Sequence, residues 1–136
     1  MPNEPDTARD LRRALVIEDN QGVRRMLRFS LRASGFTIAE TATGAEALAL
    51  LEELAPDAVI LDLGLPDGLG GAVLERLRRM QEMDGGAPAW MVVSAMNRED
   101  ATRLFGPLGD RFLPKPFDPW DLVAKLQELL GESGDL

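Results

Sequence analysis

Five side chains in this 136-residue sequence stand where short apolar runs give out: Glu18 and Asp19 after Ala14-Leu-Val-Ile17, Asp62 after Ala58-Val-Ile-Leu61, Ser94 after Trp90-Met-Val-Val93, and Lys115 just beyond Arg111-Phe-Leu113. Carboxylates crowded at one rim repel each other unless a cation neutralises them. The sequence holds no histidine and no cysteine. A side-chain metal site must therefore use oxygen ligands, which suits a hard cation such as magnesium or calcium. The same absence excludes disulfides, zinc fingers, haem ligands, a cysteine nucleophile and the Ser-His-Asp route. A carboxylate can also attack phosphorus. A lysine and a hydroxyl nearby can hold the oxygens of a phosphoryl group. The set suits a phosphoryl-accepting aspartate served by magnesium.

Those residues can meet only if the elements bring them to one edge. Ala14–Ile17 reads as a buried strand, followed by a helix from about Gln21 to Ala33 with Val23, Met26, Leu27 and Leu31 on one stripe. Phe36–Glu40 reads as a second, less buried strand. Thr43 with Glu46 forms a capping box for a helix carrying Leu48, Leu51 and Leu54, stopped by Pro56-Asp57. Ala58–Leu61 is a third strand, Gly64–Gly71 a loop, and Val73, Leu74 and Leu77 mark another helix. After Gly85-Gly86 and Pro88 come a fourth strand, Trp90–Val93, a short helix, Arg98–Phe105, and a fifth strand, Arg111–Leu113. Asp118 caps a last helix with Pro119 in its first position. Residues 1–10 are polar with two prolines and read as a mobile tail; residues 11–136 form one domain.

Strands alternating with helices imply right-handed crossovers and an α/β fold, a parallel sheet with helices on both faces. In such sheets ligands bind beyond the carboxyl ends of the strands, where the strand order reverses. Fifteen Lys and Arg against 23 Asp and Glu give a net charge of −8. That surface repels phosphate backbones, so no direct nucleic-acid partner is expected. No transmembrane segment or signal peptide is evident, and the cytoplasm is the default location.

Leu15-Val-Ile-Glu-Asp-Asn20, Ile60-Leu-Asp-Leu-Gly-Leu-Pro-Asp-Gly68, Val93-Ser-Ala95 and Phe112-Leu-Pro-Lys-Pro-Phe117 together resemble the receiver domain of bacterial two-component response regulators, of the chemotaxis-type, single-domain kind. The resemblance covers roughly residues 11 to 130 with its motifs in order. It implies a flavodoxin-like five-stranded parallel sheet of order 2-1-3-4-5. It makes Asp62 the phosphoacceptor, Asp19 a direct magnesium ligand, Glu18 the acid that holds the ion, and Gly64 a carbonyl ligand. Ser94 becomes the hydroxyl on the phosphoryl group, Lys115 the paired cation, Lys115-Pro116 a cis peptide, and Phe112 the switch aromatic. The partners implied are a sensor histidine kinase or histidine phosphotransfer protein and a downstream protein target. The domain would not be a conventional enzyme, though it would catalyse its own phosphorylation and dephosphorylation. The turn Gly106-Pro-Leu-Gly-Asp110 departs from the family's usual Ala-Gly-Ala-Asp, and the stretch from Ser94 to Lys115 is about one residue short.

Other classes fit less well. A haloacid-dehalogenase-like phosphatase needs a second acid two positions after its aspartate, where Gly64 stands. A flavodoxin-like electron carrier needs a hydroxyl-rich phosphate loop after the first strand, unlike Asp19-Asn-Gln-Gly22. A receiver-like scaffold that works without phosphate, or a phosphate sink in a phosphorelay, remains as the alternative. Arg24, Arg25, Arg28 and Arg32 form a stripe on the first helix, read as a solvated face, with docking of an acidic partner helix as the sharper reading. Trp90 lies roughly 13 Å from the rim at ~3.3 Å per residue and belongs to the core. Trp120 either packs on the sheet or anchors a partner.

Overall fold

The computed structural model describes residues 12–83 and 87–131. The proposed tail, residues 1–10, and the Gly85-Gly86 break lie outside the described residues. In chain order the elements are β1 Arg12–Ile17, α1 Gln21–Ala33, β2 Phe36–Thr41, α2 Gly44–Leu54, β3 Ala58–Asp62, α3 Gly70–Glu82, β4 Ala89–Ser94, α4 Arg98–Phe105, β5 Phe112–Pro114 and α5 Pro119–Leu129. One 3₁₀ turn, Gly109–Arg111, precedes β5. The strands form one sheet of order β2-β1-β3-β4-β5, all pairs parallel.

Burial on both faces explains why β1 and β3 read as unbroken apolar runs rather than alternating ones. Leu15, Ile17, Val59, Leu61, Trp90, Val92 and Phe112 face a layer built by α2, α3 and α4. Ala14, Val16, Ala58, Ile60, Met91 and Val93 face the opposite layer, built by Leu27 and Leu31 of α1 and Leu122, Val123 and Leu126 of α5. Trp90 is buried, its indole N–H donating to Gln81 Oε1. Trp120 does not pack away on the sheet: it is 49% exposed.

Local chemistry sets the helix ends. Asn20 Oδ1 accepts the Val23 N–H and Asp118 Oδ1 accepts the Trp120 N–H, each capping a helix start. Thr43 Oγ1 caps α2 by accepting from Glu46 N. The two preceding α2 amides, Gly44 and Ala45, are satisfied by the distant Asp67 carboxylate. The fifth strand is shifted one residue from its expected start, because Gly109 at φ 58° lets Gly109–Arg111 coil before the chain extends. Helix α4 keeps its expected bounds and stops where Pro107 cannot continue it.

Candidate functional site

The sheet register brings the expected site residues to one edge. Ile17 pairs with Leu61, so Glu18 and Asp62 emerge side by side from β1 and β3. Asp62 pairs with Val93, which sets Ser94 at the adjoining strand end. The Lys115 N–H donates to the Ser94 carbonyl at 2.8 Å, so β5 delivers Lys115 to the same rim. The Lys115-Pro116 peptide is cis.

Glu18 is fully buried and Asp62 nearly so, at 0% and 5% exposure, while Asp19 stays open to solvent. Lys115 Nζ donates to Glu18 Oε2 at 3.1 Å and to Asp62 Oδ2 at 3.2 Å. The other Asp62 oxygen, Oδ1, accepts the Gly64 N–H at 3.0 Å. Glu18 Oε2 also accepts from the Asn20 N–H. Burial pushes the Glu18 carboxyl above its ordinary pKa, and the Asp62 charge adds to this, against the pull of Lys115. For Lys115, burial opposes the charged form. Its bonds to Glu18 and Asp62 outweigh that, and the ammonium is raised above its ordinary value.

One atom in this cluster is unsatisfied. Glu18 Oε1 lies 3.0 Å from Lys115 Nζ, yet no hydrogen bond is aligned on it among the described residues. Leaving a buried carboxylate oxygen unpaired is costly. Glu18, Asp19 and Asp62 each offer a carboxylate oxygen, all within 4.8 Å of one another. Three hard anionic donors and an orphaned oxygen, with one face open to water, fit a magnesium ion, which keeps several waters and uses few carboxylates. A side chain at Gly64 would find only Asp62 Oδ1, at 3.7 Å, so the glycine is not forced by crowding.

Two of the expected residues make no hydrogen bond to the acids among the described residues. Ser94 is buried, with Oγ accepting the Met96 N–H at 3.0 Å, which leaves its own proton for another acceptor. Phe112 pairs with Val92, two residues down the strand from Ser94, and packs in the core layer with Ala101 and Leu108.

Three further residues support the rim; Asp67 lies within the Ile60–Gly68 motif, yet the resemblance gave none of the three a role. Asp67 ties the loop after Asp62 to the start of α2 through Gly44 and Ala45, and also accepts from Leu69 N. Arg24 donates to the Glu18 and Asp19 carbonyls. Arg98 donates to the Gly109 and Phe112 carbonyls and lies 5.2 Å from the centre of the Phe112 ring. Pro66-Asp67-Gly68 reads as turn chemistry from sequence. Its two partners on α2 lie more than twenty residues away, at |i−j| of 22 and 23, and nothing local reveals them. The arginine stripe of α1 divides: Arg24 and Arg28 turn to Glu40, while Arg25 is exposed beside Phe29, itself 70% exposed.

The response regulator receiver domain family model matches residues 14–127. The DNA-binding response regulator MtrA of Mycobacterium tuberculosis is 35% identical over 130 residues, covering 96% of this chain and 54% of its own length. The transcriptional regulatory protein PrrA of the same species is 35% identical over 129 residues, covering 95% of this chain and 54% of its own length. The chain thus spans about half the length of these curated relatives. A CheY-like receiver domain structure from Methylobacillus flagellatus aligns at 31% identity with a TM-score of 0.69, covering 88% of this chain and 99% of that one. A response regulator structure from Chloroflexus aurantiacus aligns at 28% identity with a TM-score of 0.76, covering 90% of this chain and 99% of that one. The order 2-1-3-4-5, the acid rim and the matched residues agree, and the chain belongs to the receiver-domain family of two-component response regulators, whose work is signalling by phosphoryl acceptance.

Proposed function

We propose that Asp62 accepts a phosphoryl group from a phosphohistidine on a sensor kinase or phosphotransfer protein, and that the phosphorylated domain then binds a downstream protein. The observation that carries this reading is the placement of Asp62: Oδ1 held by Gly64 N–H, Oδ2 by Lys115, and Glu18 buried beside them. Glu18, Asp19, Asp62 and the Gly64 carbonyl would hold magnesium, which when bound neutralises the acids and the charge on the transferring oxygens.

The chain's own groups do the rest. An Asp62 oxygen attacks phosphorus in line. As the new O–P bond forms, the P–N bond to the donor imidazole breaks, and that nitrogen leaves with the electron pair and takes up a proton. Lys115 stays within reach of the phosphoryl oxygens, and the Ser94 hydroxyl can donate to one of them. Hydrolysis of the acyl phosphate returns the carboxylate. The 136 residues contain no histidine, so the donor imidazole comes from elsewhere.

Magnesium-dependent labelling by a small acyl phosphate tests the reading, with Asp62→Asn as the control. Labelling that persists in Asp62→Asn, or that ignores magnesium, would refute it; a wild-type protein that is never labelled would favour the phosphate-independent scaffold. MtrA and PrrA are described as DNA-binding and transcriptional regulators. For the residues here the net charge of −8 argues for output through protein contact. No helix among the described residues is long and apolar enough to cross a membrane.

A further inference from the structure

The acidic loop between β1 and α1 carries two of the metal-site carboxylates, yet it is short and ends in solvent. Apart from the Lys115 bond to the Glu18 carboxylate, its hold on the fold comes from few bonds. Glu18 N–H donates to the Thr41 carbonyl at 3.0 Å, fixing the start of the loop to the end of β2. Asn20 N–H returns to Glu18 Oε2. Past that point the peptide carbonyls of Glu18 and Asp19 have one side-chain donor in common. Arg24 Nη1, one turn into α1, reaches the Glu18 carbonyl at 2.7 Å and the Asp19 carbonyl at 3.2 Å. The same guanidinium is gripped from behind, its Nε 3.3 Å from Glu40 Oε1 on β2. Glu40 is itself held by both ends of the Arg28 fork.

We propose that Arg24 is a positioning residue for the metal site: by fixing the Glu18 and Asp19 carbonyls it points their carboxylates at one ion, with Glu40 and Arg28 as its anchor. Turning the two carbonyls toward α1 aims both side chains at the rim. Freed of that constraint, the Asp19 peptide can rotate, and the exposed Asp19 carboxylate leaves the cluster first. The inference rests on the reading of Glu18, Asp19 and Asp62 as the metal site.

Charge alone makes the opposite forecast. Arg24 is a cation beside a cation site, so deleting it would strengthen metal binding if Coulomb repulsion were its only effect. Positioning demands a loss. The sign of the change therefore separates the two, and salt adds to the separation, since a Coulomb effect weakens with ionic strength, if less for a half-buried charge such as Arg24 than for an exposed one, whereas a lost hydrogen bond is not restored by salt.

The test is binding of manganese ion alone, as the magnesium stand-in, followed by the free-ion electron paramagnetic resonance signal at low and high salt. Supporting groups around metal ligands are worth 10–100-fold in affinity. Arg24 holds backbone rather than a ligand atom, so Arg24→Ala should weaken manganese binding about tenfold, at both salt concentrations. Arg24→Lys, which keeps the charge and can reach one carbonyl but not the whole set, should recover part of the loss. Glu40→Gln should weaken binding less than Arg24→Ala, and Arg25→Ala, on the exposed side of α1, should leave it unchanged. Labelling of Arg24→Ala by a small acyl phosphate should fall at limiting magnesium and return to the wild-type maximum at saturation. Unchanged or tighter manganese binding in Arg24→Ala would overturn the proposal, as would a labelling defect that saturating metal does not repair. Should Arg24→Ala fail to fold, Arg24→Lys and Glu40→Gln carry the same test, and wild-type affinity in both would overturn it. A wild-type protein that binds no manganese would instead remove the metal site itself.

Discussion

Along the strand-end rim, the inner strands β1, β3 and β4 and the edge strand β5 are built to different standards. Ala14–Ile17 and Ala58–Asp62 are buried without exception, and each strand is paired on both edges. By contrast, β5 has three residues, of which Phe112 alone is buried, and it is an edge strand. The segment leading to it is held by side chains gripping backbone. Arg78 donates to the Phe105 and Pro107 carbonyls, and Arg98 to those of Gly109 and Phe112. Asp62 thus sits on a ladder whose displacement would cost core burial, whereas Phe112, though itself buried, opens an edge strand whose approach is held by a few side-chain hydrogen bonds. Small local shifts at one site are amplified where packing is bistable. Under the proposed function, the phosphoacceptor stands on the stiff strand ends and the switch aromatic on the edge strand.

The sharpest way to break that division is to remove chemistry without disturbing fold. Asp62→Asn should lose detectable labelling, and Asp19→Ala should lower metal affinity by more than about tenfold. Both should keep wild-type unfolding midpoints without metal, since each deletion also relieves carboxylate repulsion. A large stability loss in either would mean that the acid rim holds the fold together.

Lys115→Ala comes next. It leaves Glu18 and Asp62 adjacent and without their cation. Removing one partner of a buried pair costs about 3–5 kcal/mol. The Lys115 side chain keeps 22% exposure, so solvent screens part of this and a loss of about 2 kcal/mol is expected. Magnesium at ten times its dissociation constant should return about 1.4 kcal/mol. Urea midpoints with and without magnesium check both figures. Some phosphate uptake should survive, because Asp62 remains, while phosphorylation-dependent partner binding should fall.

The edge strand and its coupling to the end of β4 are tested by a double-mutant cycle. Ser94→Ala and Phe112→Ala should each reduce the gain in partner affinity on phosphorylation. Their losses should be less than additive by about 1 kcal/mol if both act through one movement. Arg98→Ala, which frees the Phe112 ring and carbonyl, should shift the unphosphorylated protein toward the same state. Full additivity would mean that the output travels through another part of the molecule.

How much of this was legible beforehand follows from where each signal lives. Helices α1 and α4 match their expected bounds residue for residue, because caps such as Asn20 and stops such as Gly106-Pro107 are local. The strand-end rule selected Glu18, Asp19, Asp62, Ser94 and Lys115 without a structure, and the sheet register brings their backbones to one edge. The 3₁₀ turn before β5 was not legible, since Gly109 could have served as a loop residue in either conformation. Nor were the holds of Asp67, Arg24, Arg78 and Arg98 on backbone amides or carbonyls. Those acceptors and donors are the same in every residue type, so no sequence pattern records which one an arginine will reach.

The smallest effect expected is a pH dependence at Glu40. The Arg28 hydrogen bond, with further help from Arg24, holds the Glu40 carboxyl below its ordinary value of 4.5, against a modest opposing effect of burial. A carboxyl with a depressed folded pKa binds fewer protons in the folded state than in the unfolded one between those two values. The stability it contributes is therefore complete above the unfolded pKa, near 4.5, and is lost as pH falls through the folded value. A carboxyl raised on folding, such as Glu18, has the opposite pH dependence, so the Glu40 share must be isolated by difference. Urea midpoints of the wild type and Glu40→Gln, measured from about pH 6 down to about pH 3, should differ at the upper end and converge at the lower. Arg28→Ala should show the same convergence, because the partner that depresses the carboxyl is gone. Parallel curves with a constant offset would mean that Glu40 contributes packing rather than charge. In that case Arg24 would lose its anchor at no pH, and the hold on the acidic loop would rest on the two carbonyls alone.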